Sequence, residues 1–226
     1  MSLKIIKTQD GSNSILNEEL NEAYHSLNGA LTESKHIFIK NGLEKYLTNN
    51  IVKRPINVFE VGIGTGLNAM LAYQYASKSG IQINYVGVEI LPVTYEQVEE
   101  LQYHDIEELQ GLKSFSEYFH SSDWNEKFSF GNTFGFLKIR EDFHDMTLES
   151  ESADVVFFDA FAPNKQSEMW NYELLLKIFE ALTHDGLLTT YCAQGQFKRD
   201  LKSCGFKVES LPGPPGKKEM TVAVKP

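Results

Sequence analysis

Residues 154–170, Asp-Val-Val-Phe-Phe-Asp-Ala-Phe-Ala-Pro-Asn-Lys-Gln-Ser-Glu-Met-Trp, set the tightest limit on what this chain can fold into. The apolar run Val155 to Phe158 reads as a buried strand that ends on a carboxylate, Asp159. An aromatic-proline loop and a helix start follow. In an open α/β sheet, ligands sit beyond the carboxyl ends of the strands, so Asp159 stands where chemistry is expected. A second strand end of this type is Val58-Phe-Glu-Val-Gly-Ile-Gly-Thr-Gly66.

Strand and helix signals alternate from there. Strands are expected at Ile56–Val61, Ile81–Val88, Phe136–Ile139, Val155–Phe158 and Leu187–Cys192. Helices are expected at Leu67–Ser77, at Val93–Leu109 with Pro92 in its first turn, at Leu174–Leu182 and at Gln196–Ser203. The final pair, Phe206–Leu211 and Glu219–Val224, has only Pro212-Gly-Pro-Pro-Gly216 between its members and must pair antiparallel. This alternation predicts an α/β, Rossmann-like fold: a mostly parallel seven-stranded sheet with an antiparallel last strand and helices on both faces. Residues 1–50 read as an amino-terminal extension packing on the core, with helical spacing at Glu18–Ser26 and Ile37–Leu47 broken by Asn28-Gly29. Residues 51–226 form the main domain, with an aromatic-rich stretch at about 110–134 that is expected to be an insertion or a helix and hairpin.

Charge and composition narrow the classes. The net charge of −10 argues against general nucleic-acid affinity. The distribution is uneven, however. Residues 191–226 hold seven Lys and Arg against three Asp and Glu, which leaves −14 on the first 190. A basic carboxyl-terminal segment on an acidic body can still hold a phosphate backbone on one face. No apolar run approaches the roughly 20 residues of a membrane span, and Met1–Asp10 has no apolar signal core, so a cytoplasmic, non-membrane protein is expected. The only cysteines, Cys192 and Cys204, suit a reducing compartment and read as packing residues. No His/Cys/Asp cluster has metal-ligand spacing, so no catalytic metal is expected.

Glu60-Val-Gly-Ile-Gly-Thr-Gly66 follows a strand and opens a helix, where glycines let the backbone approach a ligand. The spacing is Gly-x-Gly-x-Gly rather than the Gly-x-Gly-x-x-Gly of dinucleotide sites. An acid two places before the first glycine suits the cationic amino acid end of S-adenosyl-L-methionine better than a phosphate. Glu89, 23 residues past Gly66 at the next strand end, is the expected acceptor for ribose hydroxyls. Asp142, at the third strand end, is a candidate for the adenine amino group. Glu60, Gly62, Gly64, Thr65, Gly66, Asn68, Glu89, Asp142 and Asp159 are the expected cofactor residues.

Four motifs then carry a resemblance that covers about residues 20–225. They are Tyr24-His-Ser-Leu-Asn-Gly-Ala-Leu-Thr-Glu-Ser34 with His36-Ile-Phe-Ile39, Glu60 to Asn68, Asp159 to Trp170, and Thr189 to Phe206 ending in Pro212-Gly-Pro-Pro-Gly-Lys-Lys-Glu-Met220. The chain resembles the methyltransferase domain of the bacterial enzyme that completes 5-methylaminomethyl-2-thiouridine in tRNA. Many members fuse this domain to a flavin-dependent oxidase, so a stand-alone form with a separate oxidase or other upstream modifying enzyme is implied. Position 25 is His where the family leads one to expect Phe.

The resemblance implies a class I S-adenosyl-L-methionine-dependent N-methyltransferase that converts 5-aminomethyl-2-thiouridine to 5-methylaminomethyl-2-thiouridine at the tRNA wobble position, with the anticodon stem-loop as partner. Asp159 is then the catalytic candidate, orienting the amine and taking its proton. Phe161, Trp170 and Tyr24 are candidates to enclose the uracil. Lys198, Arg199, Lys217 and Lys218 are candidates for phosphate contacts. The alternatives are a methyltransferase acting on a small molecule or a protein amine, an aminopropyltransferase of the spermidine synthase type, and a non-catalytic binding module of the same fold.

Overall fold

A computed structural model describes residues 2–51 and 54–226. Its centre is an eight-stranded sheet built from β4 (Ile56–Val61), β5 (Ile83–Glu89), β6 (Lys127–Phe130), β7 (Phe134–Arg140), β8 (Ala153–Phe158), β9 (Leu182–Thr190), β10 (Lys207–Pro212) and β11 (Glu219–Val224). The strand order is β10-β11-β9-β8-β4-β5-β7-β6. The five inner strands β9, β8, β4, β5 and β7 run parallel to one another. β11 lies antiparallel to both β9 and β10, as the helix-free connection requires. The sheet has one strand more than expected, because Lys127–Phe130 pairs antiparallel with β7 and closes that edge.

Burial follows from topology. All six residues of β8 are buried, since helices cover both faces at the centre. On one face lie α3 (Leu67–Ser79) and a helical run made of α1 (Ala30–Ser34), a π-helical segment Lys35–Glu44 and α2 (Lys45–Asn49). On the other lie α6 (Tyr172–Ala181) and α7 (Gly195–Ser203), packed on Val156, Phe158 and Leu188. Asp154, at the buried start of β8, accepts hydrogen bonds from Arg54, Tyr46, Thr183 and the Asn57 amide. Burial alone would push its pKa up, but the Arg54 hydrogen bonds and these other donors hold it below the usual range.

Two expected helices take other forms. Residues 18–26 are not helical. A small antiparallel sheet, β1 (Leu3–Lys7), β2 (Asn13–Asn17) and β3 (Glu22–Ala23), occupies the start of the chain. The Asn17 side chain accepts from the amides of Glu19 and Leu20, and Asn21 takes a left-handed φ of 48°, so the chain turns instead of coiling. Residues 93–109 carry only a short helix, α4 (Tyr95–Glu99). Thr94 caps it in a reciprocal box with Gln97, so Pro92 lies outside the helix. Gln102 then turns left-handed at φ 51°, and 3-10 turns at Tyr103–Asp105 and Glu107–Leu112 bury Tyr103 and Leu109.

Residues 110–134 hold α5 (Lys113–Ser121) and the first strand of the β6–β7 hairpin. Phe115 packs edge-on against Phe130 and Phe134, with ring centroids 5.5 and 5.4 Å away. The buried ammonium of Lys138 donates to the carbonyls of Phe119 and Ser122. Burial brings its pKa down to about 8.

Candidate active site at the strand ends

The strand order reverses between β4 and β8, and that crevice is where an open α/β sheet binds ligands. The two strand ends meet closely: the Asp159 amide donates to the Val61 carbonyl at 2.9 Å. Gly62 follows at φ 87°, and a Cβ there would lie 2.7 Å from the Asp159 carbonyl oxygen, so only glycine fits. Gly66, at φ 73°, starts α3, and a Cβ there would meet the His120 ring at 2.8 Å. The glycines therefore serve the close approach of β8 and α5 to the loop, as well as any ligand.

A cavity of about 1040 Å³ opens above these ends. Its floor is Val61 to Gly64, Glu89, Asp142 and Asp159 to Phe161. Its opposite wall is the amino-terminal segment, including Leu16 and Leu20 to Asn28. Tyr24 meets Phe161 edge-on at 5.1 Å. Burial, with help from the Glu89 charge, pushes the Tyr24 phenol up to about 12. Lys165 Nζ donates to the Leu20 carbonyl at 2.9 Å and ties the wall to the loop after β8.

The acids of the floor differ in environment. Glu60 is fully buried and does not line the cavity. It accepts from Tyr85 Oη at 2.5 Å and from Asn68 Nδ2 at 2.8 Å. Burial raises its pKa well above the carboxylate range, with the Asp159 and Glu89 charges adding to the effect. Asn68 Nδ2 also donates to Asp159 Oδ2 at 2.9 Å, so one amide spans two carboxyl groups. Asp159 does face the cavity. Burial, reinforced by the charge of Glu33, pushes its carboxyl up to about 8 against the opposing effects of Asn68 and Lys217. Glu89 accepts from the Gly64 amide at 3.1 Å on one oxygen and from the Leu91 amide at 3.0 Å on the other. Each of those oxygens keeps a second lone pair for an incoming hydroxyl. Asp142 is held below its usual pKa by hydrogen bonds from the His144 amide and ring.

The remaining candidates divide. Gly62, Gly64, Glu89, Asp142, Asp159, Tyr24, Phe161 and Lys217 line the cavity. Glu60, Thr65, Gly66 and Asn68 stand behind it, shaping the loop without forming its surface. Trp170 is buried rather than presented to a base. Its indole N–H donates to the Phe161 carbonyl at 2.8 Å, so it pins the loop. Lys198 pairs with Glu219 at 2.8 Å and also donates to Ser210, so its charge is spent within the fold. Arg199 donates to Gln196, and Lys218 is exposed on the β10–β11 hairpin away from the cavity. Lys217 faces the cavity rather than the open surface. It points into the cavity, 2.8 Å from Glu33 Oε1 and 4.5 Å above the Tyr191 ring.

Sequence reasoning missed Tyr85, Glu33, Tyr191 and the role of His25. His25 Nε2 is 2.8 Å from Thr65 Oγ1, which also receives the Tyr103 hydroxyl at 3.2 Å. Burial lowers the His25 pKa to about 4, so the ring is neutral and braces the glycine loop from the wall. The unusual His at this position was the one available signal.

A parallel sheet with a glycine loop, a ribose-competent carboxylate after the next strand and a carboxyl-floored cavity defines the class I methyltransferases. The family model for S-adenosyl-L-methionine-dependent methyltransferases matches residues 115–226, and the chain is similar to that family over those residues. Among curated relatives, the tRNA 5-methylaminomethyl-2-thiouridine biosynthesis bifunctional protein MnmC of Leptospira interrogans is 28% identical over 213 residues, spanning 92% of this chain and 33% of its own length. Its counterpart in Marinomonas sp. is 29% identical over 214 residues, spanning 90% and 31%. The chain thus spans about a third of the length of the curated relatives it matches. Among solved structures, MnmC2 from Aquifex aeolicus is 25% identical with a TM-score of 0.75, covering 99% of this chain and 70% of that one. Spermidine synthase from Thermotoga maritima, at 13% identity and TM-score 0.56 over 100% of this chain and 72% of its own, shares the fold alone. Among the described residues, no helix is long and apolar enough to cross a membrane.

The donor set fits the family's cofactor. The glycine loop leaves backbone beside the cavity, Glu89 offers two acceptors to a ribose, Asp142 offers one to an amino group, and Tyr24 and Phe161 give apolar walls.

Proposed function

We propose that the chain methylates the exocyclic amine of 5-aminomethyl-2-thiouridine at the tRNA wobble position, giving 5-methylaminomethyl-2-thiouridine. The observation that carries this reading is Asp159, a cavity-facing carboxyl at the β4–β8 crevice with its pKa raised to about 8. The names of the bifunctional MnmC relatives supply the substrate class. On this reading the anticodon stem-loop is the docking partner.

When bound, S-adenosyl-L-methionine supplies an electrophilic methyl group on a sulfonium. Glu89 and Asp142 would hold its nucleoside end, with the backbone of the glycine loop beside it. A primary alkylamine has a pKa of about 10 and arrives as an ammonium, which has no lone pair to attack. Asp159 accepts one of its protons, and Asn68 keeps the receiving carboxyl oriented. The neutral amine is then able to take the methyl group that a bound S-adenosyl-L-methionine would supply, and its two remaining protons stay on the nitrogen of the secondary ammonium product. Positioning does most of the work, because the displacement is in line and needs no covalent intermediate. Tyr24 and Phe161 enclose the uracil and keep water out.

The test is transfer of labelled methyl to tRNA from cells lacking this activity, followed by nucleoside analysis. Label in 5-methylaminomethyl-2-thiouridine is the expected result. Cofactor binding without label in any tRNA nucleoside overturns the assignment and moves the search to small amines.

A further inference from the structure

Three groups from distant parts of the chain converge beside Asp159. Glu33 comes from α1 and is buried, with Oε2 accepting from the Ser26 amide at 2.7 Å. Lys217 comes from the β10–β11 turn, where its own amide bonds the Pro214 carbonyl. Its Nζ lies 2.8 Å from Glu33 Oε1. Tyr191, which follows β9, lies under that ammonium with its centroid 4.5 Å away. The Tyr191 hydroxyl donates to the carbonyl of Ala160, the residue after Asp159, at 2.7 Å. All four side chains line the one cavity.

A buried ion pair placed this way is costly on stability grounds alone, since desolvation offsets much of its attraction. Its members act on Asp159 with opposite sign: the Glu33 charge favours the protonated carboxyl and the Lys217 charge favours the ionised one. Asp159 also acts on Glu60 from β4, Tyr85 from β5 and Tyr191, while Glu89, Tyr24 and Lys7 share its cavity. Lys217 is the cation whose charge acts on Asp159. We propose that Glu33 and Lys217 are paired positioning residues for Asp159, set against each other so that its carboxyl can both receive the amine proton and release it afterwards. This rests on the function proposed above. Lys217 moves from the phosphate-binding surface into the machinery that governs the acid.

The experiment is a titration of the Asp159 side-chain carboxyl by carbon NMR in the unliganded full chain, with the pH profile of methyl transfer measured alongside. Lys217→Met is expected to move the Asp159 midpoint up by about one pH unit or more, and Glu33→Gln to move it down by a similar amount. Lys217→Arg, which keeps the charge, is expected to stay near the parent. The double variant, losing both charges, is expected to return toward it. The acid limb of kcat/KM should follow the same directions. Unchanged midpoints in both single variants overturn the proposal, as do shifts of the same sign. Glu33→Gln keeps an acceptor for the Ser26 amide, so the sign of its shift is read even if Lys217→Met does not fold. Opposite midpoint shifts in a protein that does not methylate tRNA would leave the pair standing and remove the proposed substrate. Normal tRNA methylation with unmoved midpoints would do the reverse.

Discussion

The Tyr85 hydroxyl, on β5, donates to Glu60 Oε2, on the adjacent parallel strand β4, at 2.5 Å in the centre of the sheet. With Asn68 on the other oxygen, this bond turns Glu60 away from the cavity and makes it a support for Asn68, and through Asn68 for Asp159. Tyr85→Phe leaves a buried acceptor unpaired at little change of volume. It is expected to cost about 1–3 kcal/mol in denaturant unfolding. Methyl transfer should fall with it, because Asn68 loses its fixed anchor. An unchanged unfolding midpoint would mean that Glu60 has another partner.

The unliganded protein should lose stability as pH rises from about 6.5 to 8. The folded state keeps protons on Asp159 and Glu60 that the unfolded chain releases near pH 4, so each of these groups favours unfolding progressively above that point. Between pH 4 and 6.5, His25 and His120 oppose them. Burial lowers their pKa values to about 4 and about 3, so in this window the unfolded chain binds their protons and the folded chain does not. The two effects offset each other below pH 6.5, and only the carboxyl effect remains above it. Asp159→Asn should flatten the decline and be about 2–4 kcal/mol more stable than the parent at pH 8, one unit of pKa being about 1.4 kcal/mol. It should also lower turnover about 100-fold or more. A parent stability that climbs steadily to pH 8 would contradict the buried carboxyl assignment.

His25 should govern cofactor affinity without touching the reaction. His25→Ala opens a void beside Thr65 and is expected to cost about 2–4 kcal/mol while weakening S-adenosyl-L-methionine binding by calorimetry. His25→Phe refills the space and should recover most of the stability. Thr65 is then left with Tyr103 alone, so affinity should recover less. Equal recovery of both would reduce His25 to a space-filling residue.

Two neighbouring lysines should separate cleanly in salt-dependent tRNA binding. Lys218 is exposed, and Lys218→Ala is expected to lower the slope of log affinity against log salt by about 0.7–0.9. Lys217→Ala should leave that slope alone, because its charge is already paired with Glu33 inside the cavity. A slope reduced by both would place Lys217 on the interface after all.

The parts of the fold that could be read from the sequence are those fixed by neighbours in the chain. Val155 to Phe158 is buried on both faces whatever surrounds it, and Gly62, Gly64 and Gly66 announce a tight turn between strand and helix. The antiparallel final pair followed from a connection too short for a crossover. The misread segments are those where a local pattern lost to a distant contact. Residues 18–26 have helical spacing, but the Asn17 side chain captures the next amides and β3, within this segment, pairs with β2 instead. Residues 93–109 look continuous, but Tyr103 leaves the helix to reach Thr65, 38 positions back. In the site, Glu89, Asp142 and Asp159 were legible because strand ends face the crevice. Glu60 ends a strand too, and only Tyr85, 25 positions on, reveals that it faces inward. The pairing of Glu33 with Lys217 joins two ends of the sequence, and no local rule could find it.

The cavity's far wall is a mechanical element of the fold. It is made by residues near the start of the chain, while its floor comes from strand ends completed more than a hundred positions later. Lys165, Lys217 and His25 each stitch wall to floor with a single polar contact. A ligand held between the two surfaces adds further stitches, so the amides of residues 14–25, far from Asp159 in sequence, should exchange more slowly in the filled site than in the empty one.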